Sequence, residues 1–218
     1  MSIDLVNELE RTFYTDGYRL GMEAGPENTL VQQSLMEAIS RLYQSIDEVI
    51  ESLCGFSRIN NRPPHCRKGC GYCCHQPVFA SMHEISYLSG YINQIFTPSR
   101  KIQIISLARQ KNEKLSVLGK DDLLNSKFPC PLLDNEGACT AYAARPVSCR
   151  IYLSFSSESC IAFYNQPENE NSIPDLMAFP LRMGRIMNEG FMAALKIRGF
   201  ENREVRIEEG LLATMQEI

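Results

Sequence analysis

Cys66-Arg67-Lys68-Gly69-Cys70-Gly71-Tyr72-Cys73-Cys74 packs four thiols into one short stretch of chain. Loops this short let several sulfurs converge on one centre at little extra ordering entropy. Gly69 and Gly71 flank Cys70, where the backbone must turn sharply and leave room for amides to face sulfur. A tetrahedral zinc or a cuboidal iron–sulfur cluster each takes four thiolates. Buried free cysteines used as small hydrophobes are the competing reading, but composition alone rarely bunches them this way. The chain has nine cysteines, and none lies outside residues 54–160. Cys54 stands alone; Cys130, Cys139, Cys149 and Cys160 follow the knot at near-even intervals.

The distal cysteines carry their own logic. Residues 130–142 read as a short hairpin closed by Asp134-Asn135-Glu136-Gly137, with Cys130 and Cys139 on either side of the turn. Cys149 follows Arg145-Pro146, and a proline there suits the first turn of a short helix. A thiol in that turn is held as thiolate by free amides and the helix dipole. Eight sulfurs fill two four-thiolate sites, or one site with spectators, and both arrangements stay open. The primary cofactor-binding set expected is Cys66, Cys70 and Cys73 with one distal cysteine, Cys149 first. Cys74, Cys130, Cys139 and Cys160 are candidates for a second site or spectators, and Cys54 is expected to be inert.

Outward from the knot the chain reads as helix. Between Asn28 and Leu53 apolar residues recur at Leu35, Ile39, Leu42, Ile46, Val49 and Leu53, one continuous stripe. Asn28 is a plausible N-cap and Gly55 a plausible stop. Residues 2–20 carry Leu5, Val6, Leu9 and Phe13 at the same spacing, and Gly21, Gly25 and Pro26 then break the chain, which predicts an antiparallel helix pair. Packing on its own domain is a better use of the stripe than a dimerising coiled coil, because so few heptads rarely suffice.

Residues 57–65 form a non-helical approach, held by Pro63 and Pro64. Ser81-Met82-His83-Glu84 fits a capping box ahead of Ile85, Leu88, Ile92 and Ile95. Thr97-Pro98 opens a helix to about Leu118. Residues 165–174 read as a loop, and helices follow at about Phe179–Arg198 and Ile207–Met215. The fold class is mostly α, with a small irregular or β-hairpin metal-binding centre. The expected division is a helical segment 1–55, a cysteine-cluster core 56–163, and a helical segment 164–218 packed on that core as one compact domain.

The pattern C-x3-C-x2-CC, then CPLL, then C-x-x-Y-x-x-RP-x-x-CR and a further cysteine resembles the cysteine-cluster family of zinc- or iron-chelating domains. The residues that carry the resemblance are Cys66, Cys70, Cys73, Cys74, Cys130, Pro131, Leu132, Cys139, Tyr142, Arg145, Pro146, Cys149, Arg150 and Cys160. They fall within about residues 62–162, half of the chain. Flagellin lysine N-methylases contain the same domain, so the resemblance implies metal binding and leaves support of methyl-transfer chemistry as one use of it. The flanks resemble nothing that would carry methylase activity over.

Zinc and iron remain distinguishable by spacing. A zinc ribbon shows two C-x2-C knuckles, and only Cys70–Cys73 qualifies here. Three close cysteines with a remote fourth is the commoner iron–sulfur arrangement, so a cluster, 4Fe–4S by type, is favoured over zinc. Arg62, Arg67, Lys68, Arg145 and Arg150 would offset the charge of four thiolates. Cys66-x3-Cys70-x2-Cys73 also matches the radical S-adenosylmethionine signature, but no strand precedes it, no strand–helix alternation follows, and Cys74 is foreign to it. His65 and His75 flank the knot and are expected beside the ligands rather than among them; His83 belongs to a capping turn.

Composition narrows the rest. With 218 residues, 44% hydrophobic and 22% charged, the chain is an ordinary globular protein rather than a disordered tail. A net charge of −4 argues against a nucleic-acid binder. No apolar run reaches the length of a membrane span, and Asp4, Glu8 and Glu10 sit where a signal peptide needs a basic region and an apolar core, so a cytoplasmic location is expected. There is no Ser/His/Asp order, phosphate loop or dinucleotide fingerprint, and no catalytic residue is identified. Met183, Met187, Phe191 and Leu195 are read as core, and Arg182, Arg185, Lys196 and Arg198 as a solvated face. Two classes result: a cytoplasmic iron–sulfur protein with a redox or modification role, and a structural zinc protein whose helical flanks bind a protein partner or a second copy. Neither nucleic acid nor membrane is expected as a partner.

Overall fold

The structure is a computed structural model that describes residues 3–25 and 31–215. Its helices in chain order are α1 (Ile3–Glu23), α2 (Val31–Ile59), α3 (Met82–Ile95), α4 (Pro98–Leu115), α5 (Lys120–Asn125), α6 (Val147–Arg150), α7 (Ser157–Asn165), α8 (Ala178–Ile197) and α9 (Ile207–Thr214). The strands are β1 (Phe79–Ser81) and β2 (Glu204–Arg206), which pair antiparallel with Ala80 opposite Val205. The protein is therefore mostly α with one very small sheet, and no described helix is long and apolar enough to cross a membrane. Pro26 and the expected cap Asn28 lie outside the described residues.

The chain divides into two compact units, each built from three stretches. Unit one comprises Met1–Pro63, Val147–Leu153 and Met177–Arg203. Its core is the stripe read from sequence: Leu35, Ile39, Leu42 and Ile46 of α2 are buried, with Met183, Met187, Phe191 and Leu195 of α8. The expected α1–α2 pairing is present, but α1 packs far more extensively on α8. Glycines permit it. A Cβ on Gly17 would overlap the Met187 carbonyl, one on Gly190 the Tyr14 carbonyl, and one on Gly21 would lie 2.5 Å from the Phe191 carbonyl oxygen. Gly21 is thus a crossing point inside α1, not the break expected of it. Arg198 is likewise not purely solvated, because its guanidinium donates to the Met22 carbonyl at the end of α1, 2.7 Å away.

A further correction concerns α2. Gly55 does not stop the helix, which runs on through residues 57–59 to Ile59. The stop is Asn61, at φ +56°. There the Asn61 and Arg62 amides donate to the Arg58 and Ser57 carbonyls, satisfying the last turn. Arg150 lies buried in unit one, paired with Asp47 and stacked 4.0 Å over the Tyr43 ring. It anchors α6 to α2 within the unit.

Unit two comprises Pro64–Pro146, Ser154–Leu176 and Glu204–Ile218. The capping box at the start of α3 forms as read, Ser81 accepting from the Glu84 amide while the Glu84 carboxylate accepts from the Ser81 amide. Thr97 caps α4 with Pro98 in its first turn, but α4 ends at Leu115, short of Leu118. Ile85, Leu88 and Ile92 are fully buried against α9, whereas Ile95 is exposed. Helices α5 and α7 and the β1–β2 pair have no counterpart in the sequence reading. Strands of three residues offer too few positions for an alternating pattern to register.

Candidate metal centre

Unit two contains seven of the nine cysteines: Cys66, Cys70, Cys73, Cys74, Cys130, Cys139 and Cys160. Cys54 and Cys149 belong to unit one, Cys54 buried in α2 and Cys149 at the third position of α6. The knot turns as its glycines require. Gly69 adopts φ +85°, the Cys70 amide donates to the Arg67 carbonyl at 3.0 Å, and the Cys74 amide donates to Gly71 at 3.0 Å. Residues Tyr72–His75 then form one turn of 3-10 helix.

Three further segments close on that loop. The Phe128 and Cys130 amides donate to the His75 and Cys74 carbonyls at 2.9 and 2.8 Å, laying residues 128–130 alongside the knot. The expected hairpin is present in reduced form, one antiparallel bridge between Leu133 and Cys139. Its turn is held by Asp134, whose carboxylate accepts from the Glu136 and Ala138 amides, and by Gly137 at φ +76°. This turn backs onto the knot glycine to glycine: a Cβ on Gly71 would lie 2.9 Å from the Gly137 carbonyl oxygen, and one on Gly137 2.8 Å from that of Gly69. Finally, Ser154 and α7 close the other side. The Ser154 amide donates to the Cys66 sulfur at 3.2 Å, and its carbonyl accepts from the His65 amide at 3.0 Å. Tyr164 of α7 packs edgewise on Tyr72 and His75.

Electrostatics sort the sulfurs into groups. Burial pushes the Cys66 thiol up to about 11, the Ser154 amide opposes it, and the charges of Cys70, Cys73 and Cys160 add to the rise. Burial also raises Cys70, followed by Cys73 and Cys160, with Arg67 opposing. Charge on Cys73 and Cys160 thus reaches both Cys66 and Cys70. Cys73 goes the other way, to about 7, chiefly because the Cys74 thiol donates to it, with Arg145 helping. Burial raises Cys139, opposed by the Ala141 amide and Arg145. Burial pushes Cys130 up to about 11, opposed first by Lys111. Of the cations expected to face the thiols, Arg67 and Arg145 do so, and Arg145 stacks 3.6 Å over the Tyr142 ring.

Lys111 is a buried cation acting on Cys130 that the sequence reading missed. It is 5% exposed, on the buried face of α4 with Ile104, Ala108 and Leu115. A lysine on an otherwise apolar helical stripe is the signal that marks such a residue. His75, next to Cys74, turns back into the knot: its Nδ1 lies 3.0 Å from the Gly71 carbonyl oxygen, a contact that requires the proton on Nδ1.

The fit to a metal has two sides. Among the described residues, no three histidine, cysteine or carboxylate side chains converge tightly enough to hold an ion as they stand. The donor chemistry nevertheless suits one. Backbone amides are aimed at Cys66, Cys70, Cys73, Cys130 and Cys139, and a shared cation would offset both the burial that chiefly raises Cys66 and Cys70 and the thiolate repulsion that adds to it.

Comparison with known proteins places residues 65–171, close to half of the chain, under the CxxCxxCC family model, described as a "putative zinc- or iron-chelating domain". No curated protein and no solved structure matches the chain.

Proposed function

We propose that the CxxCxxCC domain, to which residues 65–171 belong, here holds an iron–sulfur cluster in a protein with a redox role. The ligands are Cys66, Cys70 and Cys73, with Cys160 as the fourth. The observation that supports this set is the placement of all four thiols in one unit, three from a nine-residue loop and one from α7, near enough that charge on Cys73 and Cys160 bears on both Cys66 and Cys70. Cys149 is the fourth ligand that helix-start chemistry favours; Cys160 is preferred because it shares a unit with the other three. A cluster suits the set better than zinc, since three sulfurs from one loop and a distant fourth match cuboidal geometry without a second knuckle. The amides on sulfur would tune the potential of such a cluster.

Anaerobic purification of the full chain, with iron, zinc and acid-labile sulfide measured per chain, tests the reading. About four irons and about four sulfides are expected, the content of a cuboidal cluster. Stoichiometric zinc without sulfide would replace the cluster with a structural zinc site and leave the helical flanks as the functional surface.

A further inference from the structure

Unit two contains a cleft of about 560 Å³ that the proposed cluster does not use. One wall is a single face of α4, where Arg100, Leu107, Lys111 and Lys114 recur at helical spacing; the other is the 128–140 segment, with Phe128, Leu133 and Asp134. At about 1.5 Å of rise per residue, the α4 wall from Arg100 to Lys114 is about 21 Å long.

The charges in this cleft are lopsided. Arg100 donates to the Gln103 side chain at 2.6 Å, and the Lys114 ammonium lies 5.3 Å from the Phe128 ring centre. Among the described residues, neither cation has a carboxylate partner. Lys111 at the base lies 3.4 Å from the Gln76 carbonyl and 3.9 Å from the Glu208 carboxylate, which Arg206 approaches more closely, at 3.0 Å. Asp134 is the one lining carboxylate, and it already accepts from two backbone amides. A net-positive trough on a chain of net charge −4 selects the sign of its ligand.

We propose that this cleft docks an extended acidic peptide segment of a partner protein. About six residues of extended chain cover about 20 Å, which matches the α4 wall and exceeds what a compact anion can bridge. Arg100 and Lys114 would take acidic side chains near the two ends. Leu107, Phe128 and Leu133 would take an apolar residue between them. Because Cys130 is the only cysteine in the lining, occupancy of the cleft and of the cluster are separable.

The probe is the hexapeptide acetyl-Glu-Asp-Leu-Phe-Asp-Glu-amide, titrated calorimetrically into the full chain with metal content verified in every sample. Saturable one-to-one binding is expected, weakened at least about tenfold by the double variant Arg100→Glu/Lys114→Glu and by raised salt. Lys114→Ala alone, at an exposed position, should weaken it about threefold even if the double variant folds poorly. Lys120→Glu, the same charge change at the exposed start of α5 outside the cleft, should leave affinity unchanged. Absence of binding overturns the proposal. So does equal binding of a lysine-for-acid counterpart peptide, or indifference to Lys114→Ala. Each result is independent of which metal the protein holds.

Discussion

Gly71 and Gly137 show what single residues decide in this protein. Both matter for the space their missing side chains leave, because the knot and the hairpin turn meet backbone to backbone there. Gly137 adds a left-handed φ of +76° that an L side chain rarely adopts. Gly137→Ala should therefore destabilise the protein by about 1–3 kcal/mol, since strain and overlap act together. Gly55→Ala should do the reverse. It lies inside α2 with open space where its Cβ would go, so alanine gains about 0.5–1 kcal/mol of helix stability. Thermal unfolding of the two variants checks both signs, and a melting temperature raised by Gly137→Ala would contradict the close approach. The demand for glycine around Cys70 was legible because the cysteines on either side announce it. The meeting with Gly137 was not, since contact between distant segments leaves no local mark on either. The anchoring contacts of Arg150 were hidden for a related reason: Asp47 and Tyr43 lie about a hundred residues away in sequence.

Among elements, the best-read ones carry their own punctuation. The Ser81–Glu84 capping box and the Thr97-Pro98 start appear in the structure where sequence put them, because a cap is a local transaction among four residues. Helix ends were harder. Gly55 costs too little to stop a helix whose apolar stripe continues, and the stop passed to Asn61. Pairing between helices was hardest. Gly17, Gly21 and Gly190 read as breaks or as nothing, yet they let α1 and α8 cross closely. Replacing Gly17 with leucine sets a side chain against the Met187 backbone, which cannot move aside without distorting α8. Gly17→Leu should cost about 3 kcal/mol in urea unfolding. A loss under about 1 kcal/mol would mean that the two helices separate without penalty.

The whole molecule interleaves its two units along the chain, and this bears on the cysteines. The 147–153 stretch that carries Cys149 belongs to the helical unit, while β2 and α9 from the end of the chain belong with the cysteine-rich one. A sequence read from left to right offers segments, and spatial grouping of segments depends on long-range contacts such as β1 with β2. Hence the eight clustered cysteines were legible as candidates, while their division between the two units, seven and one, required the fold. Seven lie in loops, short turns or the short α7 of unit two, where ligation would help offset the ordering entropy that little apolar burial covers. Serine is the discriminating substitution, because its hard oxygen is a poor ligand for iron or zinc in a thiolate site. The most direct test is metal content per chain for Cys54→Ser, Cys70→Ser, Cys149→Ser and Cys160→Ser, prepared side by side with wild type. Full metal in Cys54→Ser and Cys149→Ser, with most of it lost in Cys70→Ser and Cys160→Ser, is the expected result; wild-type metal in Cys160→Ser together with an empty Cys149→Ser would contradict the ligand set.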